Sequence, residues 1–78
     1  MSADKQAVEF FIKRAENVAN QAVQHCRDKE YDKGANLFRQ AYIFYKKAEN
    51  AMPEDEKIKT RLEEIKGKYQ DAKQKMDE

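Results

Sequence analysis

Apolar and small residues recur at steps of three and four through the middle of this chain. Such steps place the residues on one face of a helix, which here consists of Tyr31, Gly34, Phe38, Ala41, Tyr45 and Ala48. Further apolar residues widen this arc beyond what one neighbouring helix covers, namely Ala35, Leu37, Tyr42, Ile43 and Phe44. We therefore expect a central helix over about 31–51 with a packing partner on each side.

The segment before it carries a second apolar face at helical spacing. It predicts a helix over about 4–28, with Asp4 as the candidate N-cap and Phe10 exposed off the face. The face consists of Val8, Phe11, Ile12, Ala15, Val18, Ala19, Ala22, Val23 and Cys26. The connection to the central helix is short, which makes the two helices antiparallel neighbours, and Asp32 is a candidate cap for the second.

A narrower apolar seam follows Pro53, at alternating steps of four and three. It consists of Ile58, Leu62, Ile65, Tyr69, Ala72 and Met76. Pro53 ends the central helix and suits the first turn of a third, expected over about 54–76, where Glu54, Asp55 and Glu56 complement the positive helix end. Gly67, in the middle of this helix, indicates either a close approach to its backbone or a tolerated surface glycine.

Two interpretations of the narrow seam compete. It is typical of a coiled coil that dimerises, and also of an outer helix packed into the groove of an antiparallel bundle. The short loops and the wide-faced central helix favour the bundle. The sequence thus predicts an all-α, antiparallel three-helix bundle that forms a single domain over 1–78 and is a monomer in isolation.

Composition narrows the classes of function. A chain of 78 residues leaves little surface for an enclosed active site. Charged residues make up 40%, but the net charge is only +1, so no basic field favours nucleic acid or an anionic membrane. No apolar run predicts a signal peptide or membrane insertion, and the single Cys26 excludes an internal disulfide. We expect a cytoplasmic protein with an inert, buried thiol.

Residues that carry chemistry are scarce. His25 and Cys26 are adjacent, and because neighbouring helical residues diverge by about 100°, they cannot form a metal site alone. The sequence offers no catalytic triad, no glycine-rich phosphate loop and no paired carboxylates in an apolar setting. Tyr31, Tyr45 and Tyr69 lie on packing faces, and only Tyr42 is expected to point outward, which argues against base stacking. We expect a non-catalytic domain that needs no cofactor or metal.

The central face resembles a known family. A helix that opens with Tyr31 and Gly34 and continues with Phe38, Ala41, Tyr45 and Ala48 resembles the microtubule-interacting and trafficking (MIT) domain. Ala15 and Ala22 in the first helix, together with Tyr69 and Asp71 in the third, continue the likeness, which covers about residues 8–76. The position of the domain near the N-terminus is similar to that in AAA ATPases of vacuolar protein sorting, which disassemble ESCRT-III filaments.

The resemblance implies a function in membrane trafficking. MIT domains bind C-terminal tail motifs of ESCRT-III subunits in two grooves along the third helix, and such binding would recruit an AAA ATPase to endosomal membranes where multivesicular bodies form. A helical motif occupies the groove beside helix two, and an extended, proline-bearing motif occupies the groove beside helix one. Recognition of this kind relies on apolar anchors for affinity and on flanking charges for register.

Helix three departs from the family pattern, which often reads Tyr-Leu-x-Arg-Ala-Glu. Whether Tyr69 takes the Tyr or the Leu position, the Glu that would meet a basic residue of the motif is replaced, by Gln74 or by Lys73 respectively. We therefore expect an altered partner preference or use of the groove beside helix one. The candidate peptide-binding residues beside helix two are Glu63, Lys66, Gly67, Gln70, Asp71, Lys73 and Gln74.

Two alternatives stay open. In the first, the third helix serves oligomerisation by pairing with a copy of itself or with a partner coiled coil. The same fold also occurs at the N-terminus of microtubule-severing ATPases, with tubulin tails as ligand, although acidic tails require a basic groove and the net charge here is near neutral.

Overall fold

The computed structural model describes residues 2–78 and contains three α-helices and no strand in that range. They are α1 (Ser2–Arg27), α2 (Tyr31–Ala51) and α3 (Glu56–Met76). The backbones of α1 and α2 and those of α2 and α3 approach closely, whereas α1 and α3 approach each other far less. The molecule is a rod of 46 × 18 × 13 Å with α2 in contact with both other helices. The predicted all-α three-helix bundle is confirmed.

The apolar stripe of α2 forms the centre of the core. Its buried residues are Gly34, Ala35, Phe38, Ala41, Tyr45 and Ala48. Leu37, Tyr42 and Phe44 flank them as half-buried residues that pack against the core. Ile43 is an exception to the predicted wide arc, because it is 46% exposed. The rotation of about 100° per residue carries position 43 away from both neighbouring helices.

Small residues let α1 lie close to α2. Ala15 and Ala22 are fully buried, and Phe11, Ile12 and Cys26 pack half-buried around them. At Gly34 the approach is tightest: a methyl group there would lie 3.2 Å from the carbonyl oxygen of Ala22 and against Sγ of Cys26. Cys26 itself is half-buried, whereas the sequence predicts a buried thiol. This partial burial raises the pKa of the thiol. Phe10 is 57% exposed, as predicted.

A Schellman motif ends α1. The N–H of Glu30 donates to the carbonyl of His25 at 2.8 Å, and the N–H of Lys29 donates to that of Cys26 at 3.0 Å. Lys29 occupies the left-handed region with a φ of 64°, at the position where glycine is usual. The sharp turn brings α2 back along α1 within three residues.

The seam of α3 packs into the bundle. Ile58, Leu62, Ile65 and Ala72 are buried and Tyr69 is half-buried against the core, whereas Met76 is 47% exposed near the helix end. The bundle interpretation of the seam is therefore the one that the fold adopts. At the far end of the seam, Lys75 Nζ lies 5.5 Å from the ring centroid of Tyr31.

The helix starts differ from the predicted caps. The helix α1 already includes Ser2, so Asp4 lies inside its first turns instead of capping it. The helix α2 has Glu30 at its N-cap without a side-chain hydrogen bond, and Asp32 lies within the first turn. The helix α3 begins at Glu56, about two residues later than predicted, which leaves Pro53 in the connection. Its cap is Asp55, whose carboxylate accepts from the N–H groups of Lys57 at 2.9 Å and Ile58 at 3.2 Å.

Two candidate binding grooves along the third helix

A groove follows the seam between α1 and α3 because these helices do not approach closely. Three adjoining cavities of about 590, 300 and 400 Å³ make up this α1/α3 groove. The first two share Glu16, Tyr45 and Arg61, and the second and third share Lys68, so the depression is continuous along α3. Further lining residues are Ile12, Ala19, Asn20, Val23, Cys26 and Arg27 from α1, Tyr31 and Phe38 from α2, and Glu56, Lys57, Ile58, Thr60, Glu64, Ile65, Asp71, Ala72 and Lys75 from α3.

Charges of both signs line the α1/α3 groove. Arg61 Nη1 lies 3.3 Å from Glu64 Oε2, so part of this charge is already paired within α3. Tyr45 reaches the groove from α2 but is only 3% exposed, and its burial, followed by the nearby Glu16 carboxylate, raises the pKa of its phenol. The groove therefore offers mainly apolar surface at its two ends and a mainly polar middle, where Glu16, Arg61 and Lys68 lie.

A second, smaller groove lies between α2 and α3. The α2/α3 groove has a volume of about 250 Å³ and is lined by Arg39, Tyr42, Lys66, Tyr69 and Gln70. Both tyrosines are half-buried, which makes an apolar base, and the charged lining residues are both cations. The ammonium of Lys73 lies 5.8 Å from the ring centroid of Tyr69, a cation–π distance.

The predicted peptide-binding residues divide among three faces of α3. Lys66 and Gln70 line the α2/α3 groove, and Lys73 joins them through its contact with Tyr69. Asp71 instead lines the α1/α3 groove. The remaining three, Glu63, Gly67 and Gln74, line neither groove.

The outer face of α3 explains this division. A methyl group at Gly67 would meet no atom within 4 Å, so this glycine is not a point of close approach. Glu63 and Gln74 lie four residues before and seven after it and share its face by helical periodicity. A polar stripe beside a seam can thus point away from the bundle as easily as toward a neighbouring helix.

Sequence reasoning missed the groove residues that other helices contribute. Arg39 from α2, and Glu16 and Ala19 from α1, were not among the candidates. The spacing of Arg39 and Tyr42, on the flank of the buried Phe38, was the available signal for the α2/α3 groove. The sequence predicts that Tyr42 points outward, whereas it is half-buried at the base of the α2/α3 groove.

The histidine takes part in a structural contact. His25 Nδ1 donates to Glu30 Oε1 at 2.8 Å, across the turn between α1 and α2. This bond, followed by the hydrogen bond from Lys33, lowers the pKa of the Glu30 carboxyl. Among residues 5–78, whose side chains the structure describes, no three His, Cys, Asp or Glu side chains are grouped so that they could hold a metal ion. The same range has no helix with the length and apolar character that crossing a membrane requires.

Comparison with known proteins adds no family. No family model matches the chain, and no significant match was found among curated proteins or solved structures. Membership of the MIT family therefore stays a prediction from the residue pattern.

Proposed function

We propose that this domain is a protein-interaction module that holds C-terminal tail segments of ESCRT-III subunits along α3. The observation that supports this proposal most directly is that both flanks of α3 open onto grooves lined by tyrosine side chains. The half-buried Tyr31 and the almost fully buried Tyr45 line one groove, and Tyr42 and Tyr69 line the other. The resemblance to MIT domains suggests the ligand. In this role the domain would recruit an AAA ATPase to endosomal membranes through its partners, without inserting into the bilayer itself.

The two grooves differ in the segment that each would suit. The α1/α3 groove is long and continuous, which suits an extended, proline-bearing segment that lies along the helices. The α2/α3 groove is short and has a compact aromatic base, which suits the apolar face of a helix. Because such peptides bury little area and must become ordered on docking, we expect affinities on the order of micromolar.

The burial of the seam bears on the coiled-coil alternative. Ile58, Leu62 and Ile65 are each at most 6% exposed, so they are not available to a second copy unless the bundle opens. For tubulin tails, the net charge of +1 gives no long-range attraction of an acidic chain to the whole domain. The buried seam favours a monomer, and the lack of long-range attraction disfavours an acidic tail that has no apolar anchors for the grooves.

Fluorescence anisotropy with two labelled ESCRT-III tail peptides, one helical and one proline-bearing, tests the proposal. An exposed residue at the edge of each groove can be replaced by tryptophan, which narrows that groove and leaves the other unchanged. We expect Gln70→Trp to lower the affinity for the helical peptide at least about tenfold, because a tenfold change in affinity needs only about 1.4 kcal/mol. Asn20→Trp should lower the affinity for the proline-bearing peptide to a similar extent. Glu63→Trp, on the outer face of α3, is the matched control and should change neither affinity.

Two outcomes would contradict the proposal. The first is absence of binding to either peptide at millimolar concentration while circular dichroism shows a folded domain. The second is binding that Glu63→Trp weakens as much as the two groove variants do, because the peptide would then lie on the outer face of α3.

A further inference from the structure

We infer that the α2/α3 groove selects an amphipathic helix that carries carboxylates beside its apolar anchors. This inference rests on the tail-binding function proposed above and specifies the charge of the ligand. It is the opposite of the charge pattern that the MIT resemblance implies, in which an acid of the domain meets a basic residue of the motif.

The cations of this groove have no carboxylate partner among the residues that the structure describes. Arg39 from α2 and Lys66 from α3 line the same cavity, and in the described part of the chain neither lies within 4.0 Å of a carboxylate. Four other cations do have such a partner, namely Lys33, Lys46, Lys59 and Arg61. Most other cations of the described residues are likewise without a carboxylate partner, and Arg39 and Lys66 are the two that line this groove.

The lining contains nothing that would attract a cation by charge. Its other members are Tyr42, Tyr69 and Gln70, and no Asp or Glu is among them. Lys73 adds a third positive charge above the ring of Tyr69, at 5.8 Å. A basic side chain placed here would lose hydration and meet like charges, whereas a carboxylate would gain charge-assisted hydrogen bonds from the guanidinium of Arg39.

The shape of the groove indicates a helix that presents side chains. A volume of about 250 Å³ is below the range of cavities that enclose drug-sized ligands, so it accepts individual side chains of a segment lying across it. On a helix, residues three or four apart share a face, which lets apolar anchors reach the tyrosines while neighbouring acids reach the two walls. The α1/α3 groove, with charges of both signs, gives no such preference.

Three synthetic helical peptides test the inference by anisotropy at low ionic strength. The first has leucine anchors flanked by Glu, the second has the same anchors flanked by Lys, and the third keeps the Glu residues but replaces the anchors with Ala. We expect the first to bind at least about tenfold more tightly than either of the others, and its affinity to fall as salt is added.

Reversing the charge of the two cations that line the groove provides a second test. The double variant Arg39→Glu with Lys66→Glu should reverse the order of the Glu-flanked and Lys-flanked peptides. Lys5→Glu with Lys13→Glu makes the same change in net charge at exposed positions of α1 that line neither groove, and it should keep the original order. If the first double variant does not fold, Lys66→Gln alone should reduce the preference for the Glu-flanked peptide at least about threefold.

The outcomes separate the inference from the proposed function. Equal affinity for the Glu-flanked and Lys-flanked peptides, with the ESCRT-III tails still bound in a groove-dependent manner, would overturn the inference alone. Equal affinity for the anchored and anchorless acidic peptides would also overturn it, because attraction of any acidic chain would then suffice. Failure of the tails and of all three peptides to bind would overturn the proposed function and the inference together.

Discussion

At the scale of single residues, the two glycines of this chain have opposite surroundings. Gly34 lies in the tight contact between α1 and α2, where an added methyl group would meet Sγ of Cys26 and the carbonyl oxygen of Ala22. Gly67 lies on the outer face of α3, where an added methyl group would meet nothing within 4 Å. Both glycines are helical, so they differ in packing rather than in backbone conformation.

Replacing each glycine by alanine should therefore change stability in opposite directions. Gly67→Ala should raise the free energy of unfolding by about 1 kcal/mol, the difference in helix propensity between the two residues. Gly34→Ala gains the same propensity, but overpacking costs about 1–3 kcal/mol, and we expect a net loss. Urea denaturation followed by circular dichroism measures both values.

Cys26→Ala provides the control for this comparison. Because it removes Sγ, the nearest of the atoms that the new methyl group meets, it should reduce the cost of Gly34→Ala when the two changes are combined. Stabilisation by Gly34→Ala in the otherwise unchanged chain would show that the contact between α1 and α2 is looser than described.

At the scale of elements, the ends of the helices depend on local contacts that periodicity does not contain. Three acids in a row, Glu54 to Glu56, marked the start of α3, but only the geometry shows that Asp55 caps it. The start of α2 has no side-chain cap, and the end of α1 places Lys29 where glycine is usual. These helix ends lack the preferred capping residues because the short connections must join helices whose positions are set by the packing of the core.

The cap of α3 yields a prediction about stability. Asp55→Ala removes the acceptor of two backbone N–H groups and should lower the free energy of unfolding by about 1 kcal/mol. Glu54→Ala, one residue earlier and exposed, is the matched control and should cost less than half as much. Thermal unfolding measures the loss of stability in both variants, and equal losses would contradict the assignment of Asp55 as the cap.

The turn between α1 and α2 yields a prediction about pH. The hydrogen bond from His25, and then that from Lys33, lower the pKa of Glu30 below its ordinary value of 4.5. A carboxyl whose pKa is lower in the folded state stabilises the fold above its unfolded pKa, and this stabilisation is lost as pH falls through the folded pKa. Glu30→Gln should therefore lower the melting temperature at about pH 6, and the difference from the unchanged chain should shrink toward about pH 3.

The control for this pH series is Glu54→Gln, an exposed glutamate in the connection before α3. It should leave the pH dependence of the melting temperature unchanged. If Glu30→Gln has the same effect on melting temperature at both pH values, the carboxylate does not contribute through its charge.

At the scale of the whole molecule, the width of each apolar face was enough to predict the topology. The wide arc of α2 and the narrow seam of α3 specified the middle and outer helices, and the structure bears this out. The grooves were harder to predict because each is formed by side chains from two or three helices. Asp71 and Glu63 illustrate this, since both belong to the polar flank of α3 but one faces the α1/α3 groove and the other lines neither.

The sign of charge in the α2/α3 groove illustrates the same limit on sequence reasoning. A net charge of +1 suggested an electrically neutral surface, yet Arg39 and Lys66 meet in one groove with no acid in its lining. Local concentration of charge depends on which faces of α2 and α3 adjoin, and the average over the chain does not report it.

We propose that ligands dock along the flanks of α3, and an NMR titration of the isotopically labelled domain locates the docking surface residue by residue. With a helical and a proline-bearing ESCRT-III tail peptide, we predict that the largest amide shifts lie in α3 and in the facing groove residues, near Arg39 and Tyr42 for the first peptide and near Glu16 and Ala19 for the second. Amides near Phe10, on the exposed side of α1, should not move. Absence of shifts at millimolar peptide, or shifts centred on Phe10, would show that ligands do not dock along α3.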